Sequence, residues 1–265
     1  MDAAAVAAGR FAVVCLLAAA ASARAAVVDE LIELPSAGGA RLPVLLSHDD
    51  TQSPRWAAVL FNGGGAVGLL RRIPRPGANF LVRSRGLFAE RGVLTAVIDV
   101  PTDLDRLGDV QRMSERHADD VRALVAELRR RHPALPVYLV GTSRGTVSAA
   151  YAGARLGDAV AGVVVTASVF NATRGGPGLS AFDWSTIRTR LLFVHHVDDA
   201  CVATPYAMAR RVAAGRTLVS VRGGEAPRSG PCEAFSAHGF LGVEVPVVEA
   251  IVGWMRGEAP PALVP

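Results

Sequence analysis

The chain contains no lysine: all 28 of its basic residues are arginine. A Ser-Lys dyad, a lysine Schiff base and a P-loop lysine are therefore excluded. Long runs of one charge are also missing. Residues 129–131 form a single arginine run that reads as a solvated helix end. With the other arginines scattered and a formal net charge of only +4, there is no basic stripe, and no nucleic-acid partner is expected. Cysteine is scarce, with three residues in 265, which excludes a small disulfide-dense scaffold. What the chain has is apolar residues, at 51%, enough for one domain with a substantial core.

The first residues follow the order of a secretory signal peptide. Arg10 precedes an apolar stretch at 11–21, and Ala23-Arg24-Ala25 follows it. The stretch is too short to span a bilayer comfortably. Bulky Val14 before Cys15 argues against lipoprotein processing. The expectation is a cleaved segment at 1–25, a single domain at 26–265, no membrane span after cleavage, and a secreted or periplasmic location. Removal of Cys15 leaves Cys201 and Cys232, which are expected to form one disulfide in an oxidising compartment.

Apolar runs alternate with helical patterns along the rest of the chain. Strands are predicted at 27–34, 41–46, 56–61, 93–100, 137–140, 160–166, 191–194 and 216–221. Helices are predicted at 79–91, 114–131, 146–156, 205–213 and 245–255. Strands alternating with helices imply a mostly parallel sheet covered on both faces. Segment 171–186 has no periodicity and suits a loop over a cleft. The Pro-rich tail after Gly257 is expected to be loose.

Gly141-Thr142-Ser143-Arg144-Gly145 matches Gly-x-Ser-x-Gly, with a short apolar strand before it and a helix after it. That setting makes Ser143 a candidate nucleophile. A serine hydroxyl needs a base and an orienting acid; in the fold that carries a nucleophile on such a strand-to-helix elbow, these follow it in the order acid, then histidine. Of the three downstream histidines, His195 and His196 precede any candidate acid, which leaves His238. Asp198 and Asp199 are adjacent candidates for the acid. The strand-end pattern Gly-x-x-Asp, with His196 in the Gly position, favours Asp199. A pair of backbone N–H groups must hold an oxyanion. Arg144 should supply one, and the Asn62-Gly63-Gly64-Gly65 loop the other, from Gly64 or next Gly65. A disulfide from Cys201 to Cys232 would tie the acid loop to the base loop. His195, His196 and Asp198 are set aside as a metal site, because adjacent histidines rarely face one ion. Arg83, Arg85 and Arg112 read as arginines on solvated helices in preference to an anion site.

Together these residues resemble the α/β-hydrolase superfamily over nearly the whole mature length. The resemblance implies an α/β fold with a mostly parallel eight-stranded sheet flanked by helices and no large lid domain. It also implies a Ser-His-Asp triad, an acyl-enzyme intermediate, a small ester or acyl substrate, and no cofactor or metal. Asn62 stands where a His often precedes the glycines, a change that leaves the backbone role intact. The expected activity is carboxylic ester hydrolysis. A peptidase or amidase of the same fold, or a non-catalytic exported binding protein, are the alternatives.

Overall fold

Strand side chains alternate between two faces, and each face here has its own helical cover. In β5 (Val137–Thr142), Val137 and Leu139 join one hydrophobic core, while Tyr138 and Val140 join the other. The first core packs α3 (Glu115–Arg131), α4 (Gly145–Leu156) and α5 (Tyr206–Val212) on the sheet. The second packs α1 (Phe80–Ala89) and α6 (Glu244–Met255) on the opposite face. This computed structural model describes residues 26–65, 68 and 79–265. The expected signal segment, with Cys15, lies outside the described residues.

The remaining strands are β1 (Val27–Pro35), β2 (Arg41–Asp49), β3 (Trp56–Phe61), β4 (Val93–Ile98), β6 (Gly162–Thr166), β7 (Arg190–His196), β8 (Thr217–Val221) and β9 (Leu263–Val264). They form one sheet in the order β1-β2-β4-β3-β5-β6-β7-β8-β9. β1/β2 and β2/β4 are antiparallel, and every other pair is parallel. The chain order reverses between β3 and β5, which pair directly. The carboxyl ends of strands at such a switch point border a natural crevice.

Two features correct the sequence reading. Among the described residues the sheet has nine strands, not eight, because the tail is not loose: Leu263 and Val264 pair with Ser220 and Val221 of β8. A two-residue strand after two prolines carries no periodicity to detect. A short helix, α2 (Asp109–Arg112), also stands in a stretch for which the sequence reading gave no element.

Helix α3 follows its sequence signals closely. The Ser114 hydroxyl accepts from His117 N–H at 3.2 Å, capping the first turn. Val121, Leu124, Val125 and Leu128 are buried in a stripe, each stabilising by roughly 1.5–3 kcal/mol. Arg130 and Arg131 pair with Glu127, and Arg131 also with Glu30. The arginine run is therefore held at a helix end, where cations suit the dipole. Among the described residues, the one segment long and apolar enough to cross a membrane is Ala237–Met255, and 72% of its most apolar stretch is buried inside the fold.

Candidate active site

Ser143 sits at the end of β5, on the turn into α4. Its φ is +52°, an uncommon conformation for a residue with a Cβ. Such backbone costs on the order of 1–3 kcal/mol and persists only where the surroundings enforce it. Here Ser143 N–H donates to Thr166 O at 3.0 Å, and Thr146 donates to Ser143 O through both its N–H and its hydroxyl. Gly145 explains the motif's last glycine: a Cβ there would lie 2.0 Å from Phe61 O. Helix α4 can thus press against the end of β3 and lift Ser143 above the sheet.

His238 lies in a short 3-10 turn, Ala237–Gly239, between β8 and α6. The Ser236 hydroxyl accepts from His238 N–H at 3.3 Å. Arg83 of α1 donates to Gly239 O and pairs with Glu244 at 2.8 Å, fastening this turn to the helix layer. His238 Nδ1 lies 3.0 Å from Asp199 Oδ2. Both side chains are buried, and Nε2 has no partner among the described residues. Asp199 is held on both oxygens. Oδ1 accepts from Cys201 N–H at 2.9 Å, and Oδ2 accepts from the Thr204 hydroxyl at 2.7 Å. That hydroxyl is also 3.2 Å from His238 Nδ1, so Thr204 braces the contact from a third side. No motif pointed to Thr204; its sole sequence signal is its place five residues after Asp199.

Asp198, by contrast, is exposed, and its N–H donates to His196 Nδ1 at 3.1 Å. The two adjacent histidines diverge as strand neighbours must. His195 Nε2 contacts the Ser168 hydroxyl, and His196 Nε2 contacts Gly223 O. Burial pushes the His195 pKa down to about 3, against the pull of Asp199 and helped by His238, so the ring is neutral. Among the described residues, no three His, Cys, Asp or Glu side chains converge as a metal site. Cys201 and Cys232 are disulfide-bonded with Cα atoms 4.6 Å apart.

Ser143, His238, Gly64 and Cys232 line one cavity of about 470 Å³, with Phe80 and Phe235 among its apolar walls. Gly63, which the sequence reading passed over, also lines it. A Cβ on Gly63 would lie 2.9 Å from Ser143 Cβ, so only glycine lets the loop approach this closely. Gly65 faces away, against Arg106 in a neighbouring cleft. Arg144 lines that cleft too, and its guanidinium pairs with Asp109. Segment 171–186 packs on this side: Gly178 N–H donates to Asp109 at 2.8 Å, and Trp184 is buried in the first core. Arg83 and Arg85 are paired with Glu244 and Asp29, and Arg112 is only 2% exposed. None of the three is a free cation on a solvated helix.

This architecture has known counterparts. A lidless α/β serine hydrolase from Xanthomonas campestris superposes with a TM-score of 0.60 at 16% identity, covering 89% of this chain and 97% of its own. A predicted CIB-like hydrolase from Thermoplasma acidophilum gives 0.57 at 17% identity, covering 88% and 100%. This chain has the α/β-hydrolase fold. A cold-adapted esterase from an Arctic intertidal metagenomic library also matches this chain, with a TM-score of 0.52 and 13% identity over 74% of this chain and 84% of that one. The family model described as serine aminopeptidase, S33, matches residues 105–200, which include the Ser143 elbow and Asp199. No curated protein matches this chain by sequence.

Proposed function

We propose that this α/β-hydrolase cleaves carboxylic esters of small molecules, with Ser143 as nucleophile, His238 as base and Asp199 as orienting acid. One observation carries the reading. His238 is held through Nδ1 by a buried carboxylate, its Nε2 has no partner among the described residues, and His238 lines the same cavity as the backbone-strained Ser143. In this reading Nε2 takes the Ser143 proton as the oxygen attacks an acyl carbonyl, and Asp199 stabilises the resulting imidazolium. Backbone N–H groups of Arg144 and of the Gly63–Gly64 loop hold the oxyanion. His238 then protonates the leaving alkoxide, and water releases the acyl group in a second round. The same reading places the mature chain outside the cytoplasm, supported by the character of residues 1–25 and by the Cys201–Cys232 bond.

Purified, oxidised protein is expected to turn over p-nitrophenyl esters of graded chain length, and Ser143 to be labelled by a fluorophosphonate. Absence of both would overturn the reading in favour of a binding protein. The description of the matched family favours a second reading, as a peptidase or amidase on the same residues. Cleavage of an arylamide at rates equal to the ester would select it.

The disulfide adds a prediction. It joins the residue whose N–H holds Asp199 to a residue on the cavity wall. Its reduction is expected to lower turnover by roughly ten- to a hundredfold, the scale of an ångström-sized misplacement. It should also remove roughly 3–4 kcal/mol of stability, because the bond closes a loop of 31 residues. Turnover that holds steady after thiol counting confirms reduction, well below the melting temperature, would rule out the catalytic part.

A further inference from the structure

Arg112, on α2, is one of the largest fully buried side chains among the described residues. Burial, reinforced by Arg144 and opposed by Asp109, pushes its pKa down to about 10, so it stays charged at neutral pH. A buried charge is costly unless its surroundings compensate for it. Among the described residues, no carboxylate bonds to it. Asp109, one turn away on the same helix, is committed to the Arg144 guanidinium and to Gly178 N–H. The Arg112 donors go to neutral oxygens instead: Leu107 O at 3.3 Å, the Ser148 hydroxyl at 2.8 Å, Gly64 O at 3.1 Å and Asn62 O at 3.4 Å.

Two of those oxygens belong to the glycine loop after β3. A third carbonyl of that loop, Gly63 O, accepts from Asn62 Nδ2 at 2.8 Å. Three consecutive carbonyls therefore each accept a side-chain hydrogen bond. In a planar trans peptide the N–H points opposite to the C=O. The N–H groups of Gly63, Gly64 and Gly65 are thus turned away from these anchors, and they make no hydrogen bond among the described residues. Gly63 and Gly64 border the Ser143 cavity. The other N–H source, Arg144, is fixed through its side chain by Asp109 and by the Thr173 hydroxyl at 2.8 Å.

We propose that α2 is the positioning element of the oxyanion hole: Arg112 orients the N–H groups of the Asn62–Gly65 loop, Asp109 anchors Arg144, and the buried guanidinium adds a fixed positive charge behind the developing oxyanion. This inference rests on the Ser143 reading above. It ties both N–H sources to one four-residue helix, so that a loss on either side of α2 should weaken transition-state stabilisation and leave substrate binding largely intact.

The test uses the full chain and the variants Arg112→Gln, Arg112→Lys and Asp109→Asn. Circular dichroism confirms folding, kcat and KM are measured on p-nitrophenyl butyrate, and amide order parameters of Gly63–Gly65 come from nitrogen NMR relaxation. Arg112→Gln is expected to lower kcat on the order of a hundredfold, the scale of a lost oxyanion donor, with KM changed less than about threefold. Arg112→Lys, which keeps the charge but lacks the planar fork of five donors, should fall between it and wild type. The order parameters of the loop should drop in Arg112→Gln. Unchanged kcat in folded Arg112→Gln, or kcat and KM worsening together, would overturn the proposal. If that variant does not fold, Asp109→Asn decides it, with roughly tenfold lower kcat expected and unchanged kcat as the contrary result. A wild type without esterase or amidase turnover ends the Ser143 reading, whereas loop order unaltered by Arg112→Gln ends the α2 assignment alone.

Discussion

Ser143→Ala is expected to lower ester turnover by at least about 10⁴-fold, with the fold intact, as when a nucleophile is removed from a working triad. The expectation rests on the division of labour around the turn. What holds the chain in its strained conformation is backbone hydrogen bonding through Ser143 N–H and O, plus the close seat of Gly145 on β3. The hydroxyl itself makes no hydrogen bond among the described residues, so its removal leaves no buried partner unsatisfied. Alanine keeps the Cβ and hence the packing against Gly63. The melting temperature should therefore move little, while labelling by a fluorophosphonate should vanish. The measurement is kcat under single-turnover and steady-state conditions, with protein purified free of host esterases. Residual activity above about one per cent of wild type would mean that another group attacks the substrate.

The parts of this site that were legible in the sequence are those with a steric rule behind them. A strand, two glycines and a helix leave one way to expose Ser143, so the elbow could be read from five residues. The order of acid and histidine along the chain then restricted the candidate base to His238, whose Nδ1 lies 3.0 Å from Asp199. Less legible were contacts that any loop residue can make. Thr204 belongs to no motif, yet its hydroxyl reaches both Asp199 and His238. Helix α2 is a single polar turn with no apolar stripe, and Arg112 looks solvated until the fold closes over it. Gly63, Gly64 and Gly65 are equivalent as letters. What separates them is distance to Ser143 Cβ on one side and to Arg106 on the other. The ninth strand was hidden for the same reason, since two residues have no period.

The second large effect concerns the acid, where sequence alone left two neighbours. Asp199→Asn is expected to lower kcat by about 10³- to 10⁴-fold, and Asp198→Asn by no more than about twofold. The two side chains differ in everything but position. Asp198 is exposed and bonds to no catalytic candidate, so an amide there changes little. Asp199 is buried, and its Oδ2 faces His238 Nδ1 at 3.0 Å while the Thr204 hydroxyl donates to the same oxygen. In the role proposed for it, that oxygen must accept the Nδ1 proton, which leaves Nε2 free to take the proton of Ser143. An asparagine turned to present its amide nitrogen would donate to Nδ1, forcing the proton onto Nε2 and removing the base. Turned the other way, it would still lack the charge that stabilises the imidazolium. The first orientation takes the acceptor from the Thr204 hydroxyl and the second takes it from Cys201 N–H, so Asp199→Asn should also melt at a lower temperature, whereas Asp198→Asn should not. Chain-matched assays of both variants on p-nitrophenyl butyrate decide the matter: if Asp198→Asn alone abolishes turnover, the acid has been assigned to the wrong residue.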